Sequence, residues 1–215
     1  MRLTGISQPS RLQLRTWVSV IGLVAIGICA VITTPARQRA AAPLVLAKPA
    51  PASEGPRVYY SRISAPTLTL ADGRNRRVLS MLNIRHKLNF GDFVWDDRGI
   101  ADGETWIMVD LKGQTMSVFR GGHEIGATAV LYGADSKPTP AGVFPVLEKA
   151  RTHRSTLYDA EMPFMLRLSW DGVAIHASNV QVGQATHGCI GVPPAFAKRL
   201  YNQVQLGDLV SVAKA

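Results

Sequence analysis

Cysteine and charge are both scarce in this 215-residue sequence. Two cysteines exclude a disulfide-rich scaffold and a four-cysteine zinc module. Charged residues make up 18% and hydrophobic residues 47%, which excludes a wholly disordered chain. The sequence also lacks a glycine-rich dinucleotide motif and a phosphate loop, and we predict no cofactor and no metal.

Acidic residues are nearly absent from the first 57 residues, where seven Lys and Arg accompany only Glu54. The remaining residues hold 17 basic and 14 acidic side chains, so the net charge of +9 belongs mainly to the N-terminal arm. Because the rest of the chain has no basic helix with interleaved aromatic residues, we predict no nucleic-acid partner.

The arm combines three N-terminal arginines with an uncharged run over residues 17–34, long enough for a short membrane span. Residues 1–34 are predicted to be a signal anchor, or a signal peptide cleaved after a small residue such as Ala36 or Ala42. The basic residues before the run orient the rest of the chain outward. The body would lie at the periplasmic face of the inner membrane, or in the periplasm after cleavage. Residues 35–57 are rich in Pro and Ala and are predicted to be a stiff linker.

The body is divided into an N-terminal extension, residues 58–104, and a domain over residues 105–213. In the extension, residues 74–82 are predicted to form a short helix with a basic face. Residues 90–97 are predicted to form a loop and a short strand that cover an edge of the core. From Thr105 the apolar residues alternate, which is typical of strands separated by Gly turns. The predicted strands cover residues 107–111, 115–119, 124–132, 142–148, 163–168, 172–176 and 209–213.

A single helix is predicted after Pro193, with Phe196, Leu200 and Val204 on one face and Gly207 beyond its end. We therefore predict a mainly β fold, a β-sandwich or partly closed barrel, with one helix near its C-terminus. Trp95, Trp106 and Trp170 are predicted to pack in the core or at its rim.

The candidate chemistry lies in Thr186-His187-Gly188-Cys189 and in His176 at a predicted strand end. A thiolate is a good nucleophile, and a nearby imidazole can accept the thiol proton. We expect Cys189 to have a lowered pKa through pairing with His176. A zinc hydrolase using His176, His187 and Cys189 is an alternative, although a general base is missing nearby.

The order of His176, a loop and Thr186-His187-Gly188-Cys189 resembles the L,D-transpeptidase catalytic domain, the YkuD family. The resemblance covers roughly residues 105–213. It includes an opening hairpin at residues 107–119, a Thr-Pro-x-Gly-x-Phe segment at residues 137–144, and a closing helix and strand.

The resemblance implies that Cys189 is the nucleophile, His176 the proton donor and acceptor, and His187 a neighbour that shapes the site. It implies backbone amides near Gly188 and Cys189 as the oxyanion hole. Peptidoglycan stem peptides are the implied donor and acceptor substrates, joined through a thioester intermediate. Further residues predicted to bind substrate or to support the oxyanion hole are Thr186, Gly188, Ser178 and Arg154.

The sequence departs from the family pattern at three places. Ala177 replaces a common Gly, the loop between His176 and Thr186 is short, and Gly191 stands where Arg or Asn is usual. Two other functions therefore stay open beside transpeptidation. One is an L,D-carboxypeptidase or amidase-like hydrolase on the same fold, and the other is a wall-binding module without catalysis.

Overall fold

The computed structural model of the chain describes residues 56–214 apart from 135 and 157. The N-terminal extension contains five short strands: β1 (Arg57–Tyr59), β2 (Thr67–Thr69), β3 (Asn75–Arg77), β4 (Ser80–Leu82) and β5 (Phe93–Trp95). The following elements are β6 (Thr105–Asp110), β7 (Thr115–Arg120), β8 (His123–Ala129), β9 (Gly142–Pro145), β10 (Glu148–Ala150), β11 (Met165–Arg167), β12 (Ala174–Ala177), β13 (Ile190–Val192), α1 (Pro194–Gln203) and β14 (Leu209–Ala213).

The larger sheet has eight strands and is built on an antiparallel meander of β6, β7 and β8. Its order is β1-β4-β8-β7-β6-β14-β9, and β5 also pairs with β8. The last strand of the chain, β14, lies between β6 and β9 and is parallel to β6. Since β1 and β9 end the order, this sheet is open.

The smaller sheet carries the candidate site and has the order β10-β11-β12-β13. Strands β12 and β13 are parallel, with Ile175 opposite Ile190 and His176 opposite Gly191. On the other side of β13, the backbone of Gly191 exchanges two hydrogen bonds with Leu131, which follows β8. Strands β2 and β3 form a separate two-stranded ribbon.

Both sheets and the helix contribute to one hydrophobic core. Ile107 of β6, Ile175 of β12 and Ile190 of β13 are buried in the same cluster. Helix α1 begins after Pro193 and buries Phe196 and Leu200 in that cluster. The Phe196 ring meets Phe93 and Trp95 of the extension edge-on, with ring centroids 5.8 and 5.5 Å apart.

Arg57 of β1 is buried within the larger sheet, with 5% of its surface exposed. Its guanidinium donates to Ser80 Oγ at 3.0 Å and to the carbonyl oxygens of Glu124 and Asp96, each at 2.5 Å. The Glu124 carboxylate is buried as well, and it accepts hydrogen bonds from the Leu82 amide and from the Ser117 hydroxyl. The extension therefore supplies a buried cation and hydrogen-bond donors to strand β8.

The mainly β prediction with one helix near the C-terminus is confirmed for the described residues. Most strands predicted after Thr105 are present with small shifts at their ends. The strand predicted at residues 142–148 is wrong as one element, because β9 ends at Pro145 and β10 begins at Glu148, and β13 was not predicted. The helix predicted at residues 74–82 is wrong, because β3 and β4 occupy this stretch. Strand β3 pairs with β2, and β4 pairs with β1 and β8, so distant partners decide the local structure.

Strand β1 begins at Arg57, the last residue of the predicted linker. The predicted membrane segment, residues 1–34, and most of the linker lie outside the described residues. Within the described part of the chain, no helix has the length and apolar character to cross a bilayer.

Candidate active site

A cavity of about 760 Å³ opens beside the smaller sheet. Its wall contains five of the residues singled out from the sequence: His176, Ser178, Thr186, His187 and Cys189. Gly188 is buried next to Cys189, and Arg154 lies outside the cavity wall. The fold thus brings the two ends of the predicted motif together across a loop of nine residues.

Strand pairing places His176 and Cys189 on the same face of the smaller sheet. Their neighbours Ile175 and Ile190 are register partners, and both are buried in the core. Because side chains alternate along a strand, His176 and Cys189 project to the other face, where the cavity lies. His176 is opposite Gly191 and Cys189 directly precedes β13, so the two positions are offset by two residues along the paired strands.

Hydrogen bonding fixes the tautomer of His176. Its Nδ1 lies 2.8 Å from the carbonyl oxygen of Ala177, and a carbonyl can only accept, so Nδ1 carries the hydrogen. The lone pair is then on Nε2, which is the atom able to accept a proton. Burial lowers the pKa of His176; the Ala177 hydrogen bond opposes this shift, and nearby His153 lowers the pKa further. The imidazole is therefore a neutral base near pH 7.

The thiol of Cys189 is protonated in the resting site. Burial raises its pKa, and the Ala174 amide and the positive charge of Lys137 only partly oppose the increase. Its Sγ lies 3.7 Å from the carbonyl oxygen of Gly172, to which the thiol can donate. The expected low pKa is wrong for this state, because a neutral His176 provides no positive charge to stabilise a thiolate.

Two threonine hydroxyls hold the backbone around Gly188 and Cys189. Thr186 donates to the carbonyl oxygen of Cys189 at 2.5 Å, and Thr139 donates to that of Gly188 at 3.0 Å. The C=O and N–H of one trans peptide point in opposite directions, so the Cys189 amide is directed away from Thr139. This amide is the candidate oxyanion donor. Gly188 has φ +100°, a conformation that favours glycine.

Thr139 was not recognised from the sequence as a site residue, although it lies in the Thr-Pro segment of the resemblance. Its hydroxyl also accepts from the Gly133 amide at 2.9 Å, so it joins two loops of the site. The other residues missed are aromatic or charged members of the cavity wall: Lys137, His153, Tyr158, Trp170 and Asp171. Their loops show no periodic pattern that a sequence could reveal.

The exposed His187 stacks on Tyr158, with ring centroids 4.4 Å apart and an angle of 17° between the rings. Arg154 has a different environment from the predicted one. Its guanidinium binds Asp159 at 2.7 Å and Glu161 at 2.5 Å, which closes the loop between β10 and β11. A role of Arg154 in binding a substrate carboxylate stays a prediction, and in this structure its partners are acidic residues of its own loop.

The three candidate zinc ligands do not form a metal site in this arrangement. Among the described residues, no group of three or more His, Cys, Asp or Glu side chains is placed to hold an ion. His187 instead presents its ring face to Tyr158.

Gly191 leaves room for Ser178, whose hydroxyl lies 3.3 Å from His176 Nδ1. A Cβ at position 191 would lie 2.7 Å from Ser178 Oγ and 2.9 Å from Ser178 Cβ. The Arg or Asn usual in the resembling family would meet the same obstruction. In this chain the serine therefore occupies the space beside the imidazole.

Gly191→Ala is expected to lower the free energy of unfolding by about 1–3 kcal/mol, because the new methyl group overpacks against Ser178. Ser178→Gly in the same chain should recover most of this loss, since it removes both obstructing atoms. Denaturant unfolding of the two single variants and the double variant measures the coupling. Additive effects would contradict this packing.

Comparison with known proteins identifies the family. A family model described as the L,D-transpeptidase catalytic domain, YkuD, matches residues 104–212. L,D-transpeptidase 1 of Mycobacterium tuberculosis (strain ATCC 25618 / H37Rv) is 27% identical over 132 residues, which is 53% of this chain and 53% of that protein. L,D-transpeptidase 2 of Mycobacterium tuberculosis (strain CDC 1551 / Oshkosh) is 25% identical over 120 residues, which is 48% of this chain and 29% of that protein.

Two solved structures are also similar to part of this chain. An L,D-transpeptidase from Stackebrandtia nassauensis is 27% identical, with a TM-score of 0.49, covering 53% of this chain and 57% of that one. An Enterococcus faecium L,D-transpeptidase variant is 32% identical, with a TM-score of 0.48, covering 52% and 50%. The chain spans about half of L,D-transpeptidase 1 and less of L,D-transpeptidase 2. Since the family model matches half of the chain, the protein belongs to the L,D-transpeptidase catalytic-domain (YkuD) family.

Proposed function

We propose that this chain is an exported cysteine L,D-transpeptidase that cross-links or remodels peptidoglycan. The observation that carries the proposal is the pairing of β12 with β13, because it places an imidazole and a thiol on one face of the sheet, in the wall of one cavity. The family membership supports the same reaction. The substrates would be stem peptides that end in a diaminopimelate-type residue joined to D-Ala.

Acylation would begin with proton transfer from Cys189 Sγ to Nε2 of His176, as the sulfur attacks the carbonyl carbon. The backbone amide of Cys189 would stabilise the oxyanion. The imidazolium would then protonate the departing amine of D-Ala. The C–N bond breaks, the C–S bond forms, and the thiol proton leaves on D-Ala, so the products are a thioester and free D-Ala.

The acceptor that attacks the thioester distinguishes a transpeptidase from a hydrolase. An amine acceptor would give a cross-link, and water would give a hydrolase. In both reactions His176, neutral again after D-Ala has left, would accept a proton from the incoming nucleophile. A wall-binding module without catalysis would form no thioester at all.

The decisive experiment is intact-mass analysis of the protein with a tetrapeptide stem donor. We expect a mass increase equal to the donor minus D-Ala, because the acyl-enzyme is covalent. A carbapenem-type acylating mimic serves as a second probe. If neither compound adds mass to the folded protein, the chain is a wall-binding module and the transpeptidase proposal is wrong.

We further propose that the arm holds the catalytic domain at the periplasmic face of the inner membrane, or is cleaved to release it into the periplasm. The support is the order of basic residues, uncharged run and Pro/Ala-rich linker in the sequence. A reporter fused after residue 60 should be active outside the cytoplasm. A reporter active only in the cytoplasm would refute export.

A further inference from the structure

The turn between β11 and β12 is held rigidly over the nucleophile. Gly172 donates to the Ser169 carbonyl oxygen at 3.3 Å, and the Val173 amide donates to Ser169 Oγ at 3.1 Å. Gly172 has φ +97°, as such a turn requires. Its carbonyl oxygen is the atom that contacts Cys189 Sγ. The two residues before it, Trp170 and Asp171, belong to this same turn.

Trp170 is almost fully exposed, with 82% of its surface accessible. The expectation that it packs in the core or at its rim is therefore wrong. Trp106, in contrast, is buried and stacks on Phe119, and Trp95 packs on Phe196. Among the described residues, no aromatic ring stacks on Trp170, yet its indole lines the cavity. The exposed indole is therefore available to a molecule that enters the cavity.

Four side chains with a full charge line the cavity: Lys137, Glu161, Arg167 and Asp171. Glu161 is paired with Arg154, and Arg167 is paired with Glu148 at 2.8 Å. Lys137 and Asp171 have no ion-pair partner in the described part of the chain, and Asp171 accepts only the hydroxyl of Ser169 there. One unpaired charge of each sign therefore lines the cavity.

These two charges reach the site from different loops. Asp171 lies one residue before Gly172, which contacts the thiol. Lys137 passes over Gly188, since its Cγ and Cε would lie 3.5 and 3.9 Å from a Cβ at that position. Asp171 directly follows Trp170 in the sequence, and both residues line the cavity. An indole face next to an unpaired carboxylate is the combination that binds an organic ammonium group.

We propose that Trp170 and Asp171 form the acceptor subsite, where they bind the ammonium group of an incoming amine. This inference rests on the proposed function, and it favours transpeptidation over hydrolysis because water needs no such subsite. The indole face would attract the cation, and the carboxylate would accept its hydrogen bonds. Held there, the amine lies close to the thioester carbon at a high effective concentration.

The reaction balances as one C–N bond formed and one C–S bond broken. The ammonium group loses two protons when it becomes an amide nitrogen. One proton passes through His176 to the departing sulfur and restores the thiol, and the other passes to solvent.

The test separates this step from acylation. A preformed acyl-enzyme is mixed with a stem-peptide acceptor that carries a side-chain primary amine, and mass spectrometry measures the ratio of amide product to hydrolysed donor. Trp170→Ala and Asp171→Asn should each lower this ratio by about tenfold below saturation. The acylation rate should change by less than about threefold, because the acceptor enters the reaction only after the thioester has formed.

The variants are chosen to preserve the fold. Asparagine at position 171 keeps an oxygen that can accept from Ser169, and Trp170→Phe should retain more aminolysis than Trp170→Ala because it keeps an aromatic face. Asp102→Asn and Val182→Ala are matched controls at exposed positions outside the cavity wall, and both should leave the ratio unchanged. Unchanged ratios in Trp170→Ala and Asp171→Asn, with normal acylation, would overturn the subsite.

A binding measurement in an inactive variant tests whether the subsite binds the acceptor when no reaction can occur. In Cys189→Ala, the acceptor peptide should change the fluorescence of exposed Trp170, whereas the same peptide with its amine acetylated should not. Adding Trp170→Phe to Cys189→Ala measures the fluorescence response of the other tryptophans alone. Equal responses to both peptides would overturn the subsite, whether or not the wild type is acylated. Absence of acylation in the wild type would count against the proposed function alone.

Discussion

Cys189→Ala is expected to abolish both turnover and every covalent adduct with a stem-peptide donor. Cys189 is the free thiol in the cavity, and alanine leaves no atom to form the thioester. Cys189→Ser should be nearly as damaging, because a hydroxyl is far harder to ionise than a thiol. Intact-mass analysis after incubation with donor measures the adduct directly. The same mass increase in wild type and Cys189→Ala would show that another residue is the nucleophile.

Cys29→Ala is the matched control, since it removes the other cysteine of the chain and should leave the adduct unchanged. The raised pKa of Cys189 adds a pH dependence to this experiment. Below its pKa, the thiolate fraction increases about tenfold per pH unit. A small alkylating reagent should therefore label Cys189 slowly at pH 7 and faster with each unit of pH. A rate independent of pH between 7 and 9 would mean that the resting thiol is already ionised.

His176→Ala is expected to slow acylation by about 10²–10⁴-fold, the usual contribution of a general base. The half-buried imidazole is the neutral base whose Nδ1 donates its hydrogen to the carbonyl oxygen of Ala177. Single-turnover mass spectrometry measures acylation, and thermal unfolding shows whether the variant is folded. His86→Ala removes an exposed histidine away from the cavity wall and should acylate at the wild-type rate. Acylation of folded His176→Ala at that rate would refute the base assignment.

The pH profile gives a second readout for His176. Because burial lowers its pKa, the imidazole stays neutral until the pH falls below the ordinary value of about 6.5. Acylation in the wild type should then be retained at pH 6.5 and lost only at lower pH. This acid limb should disappear in His176→Ala. A wild-type limb centred above pH 7 would mean that the histidine is stabilised as a cation.

The sequence predicts the domain after Thr105 well because its information there is local. Alternating apolar residues mark β6 and β7, and Pro193 with Gly207 brackets α1. The stretch 74–82 could not be assigned in this way. Its two strands have three residues each, and their pairing partners are β2, β1 and β8, which the local pattern does not reveal.

The site was predictable in its residue types but not in its protonation. The motif pointed to Cys189 and His176, and the strand register brings both to one cavity. Whether they are ionised depends on burial, which follows from the whole fold. The pairing of Arg154 with its own loop and the contact of Ser178 with Gly191 likewise arise from backbone approach in three dimensions.

The buried guanidinium of Arg57 determines which segment of this chain could be exchanged for that of a relative. The family match starts at residue 104, yet β8 within it receives hydrogen bonds from Arg57, and its Glu124 carboxylate receives one from the Leu82 amide. A shortened protein that starts at the match would lose the donors Arg57 and Leu82, and it would lose the strands β4 and β5 that pair with β8. Residues 104–212 therefore depend on contacts from outside the match and should not be transferred alone. In a chimaera, the catalytic segment and its preceding strands should be exchanged together.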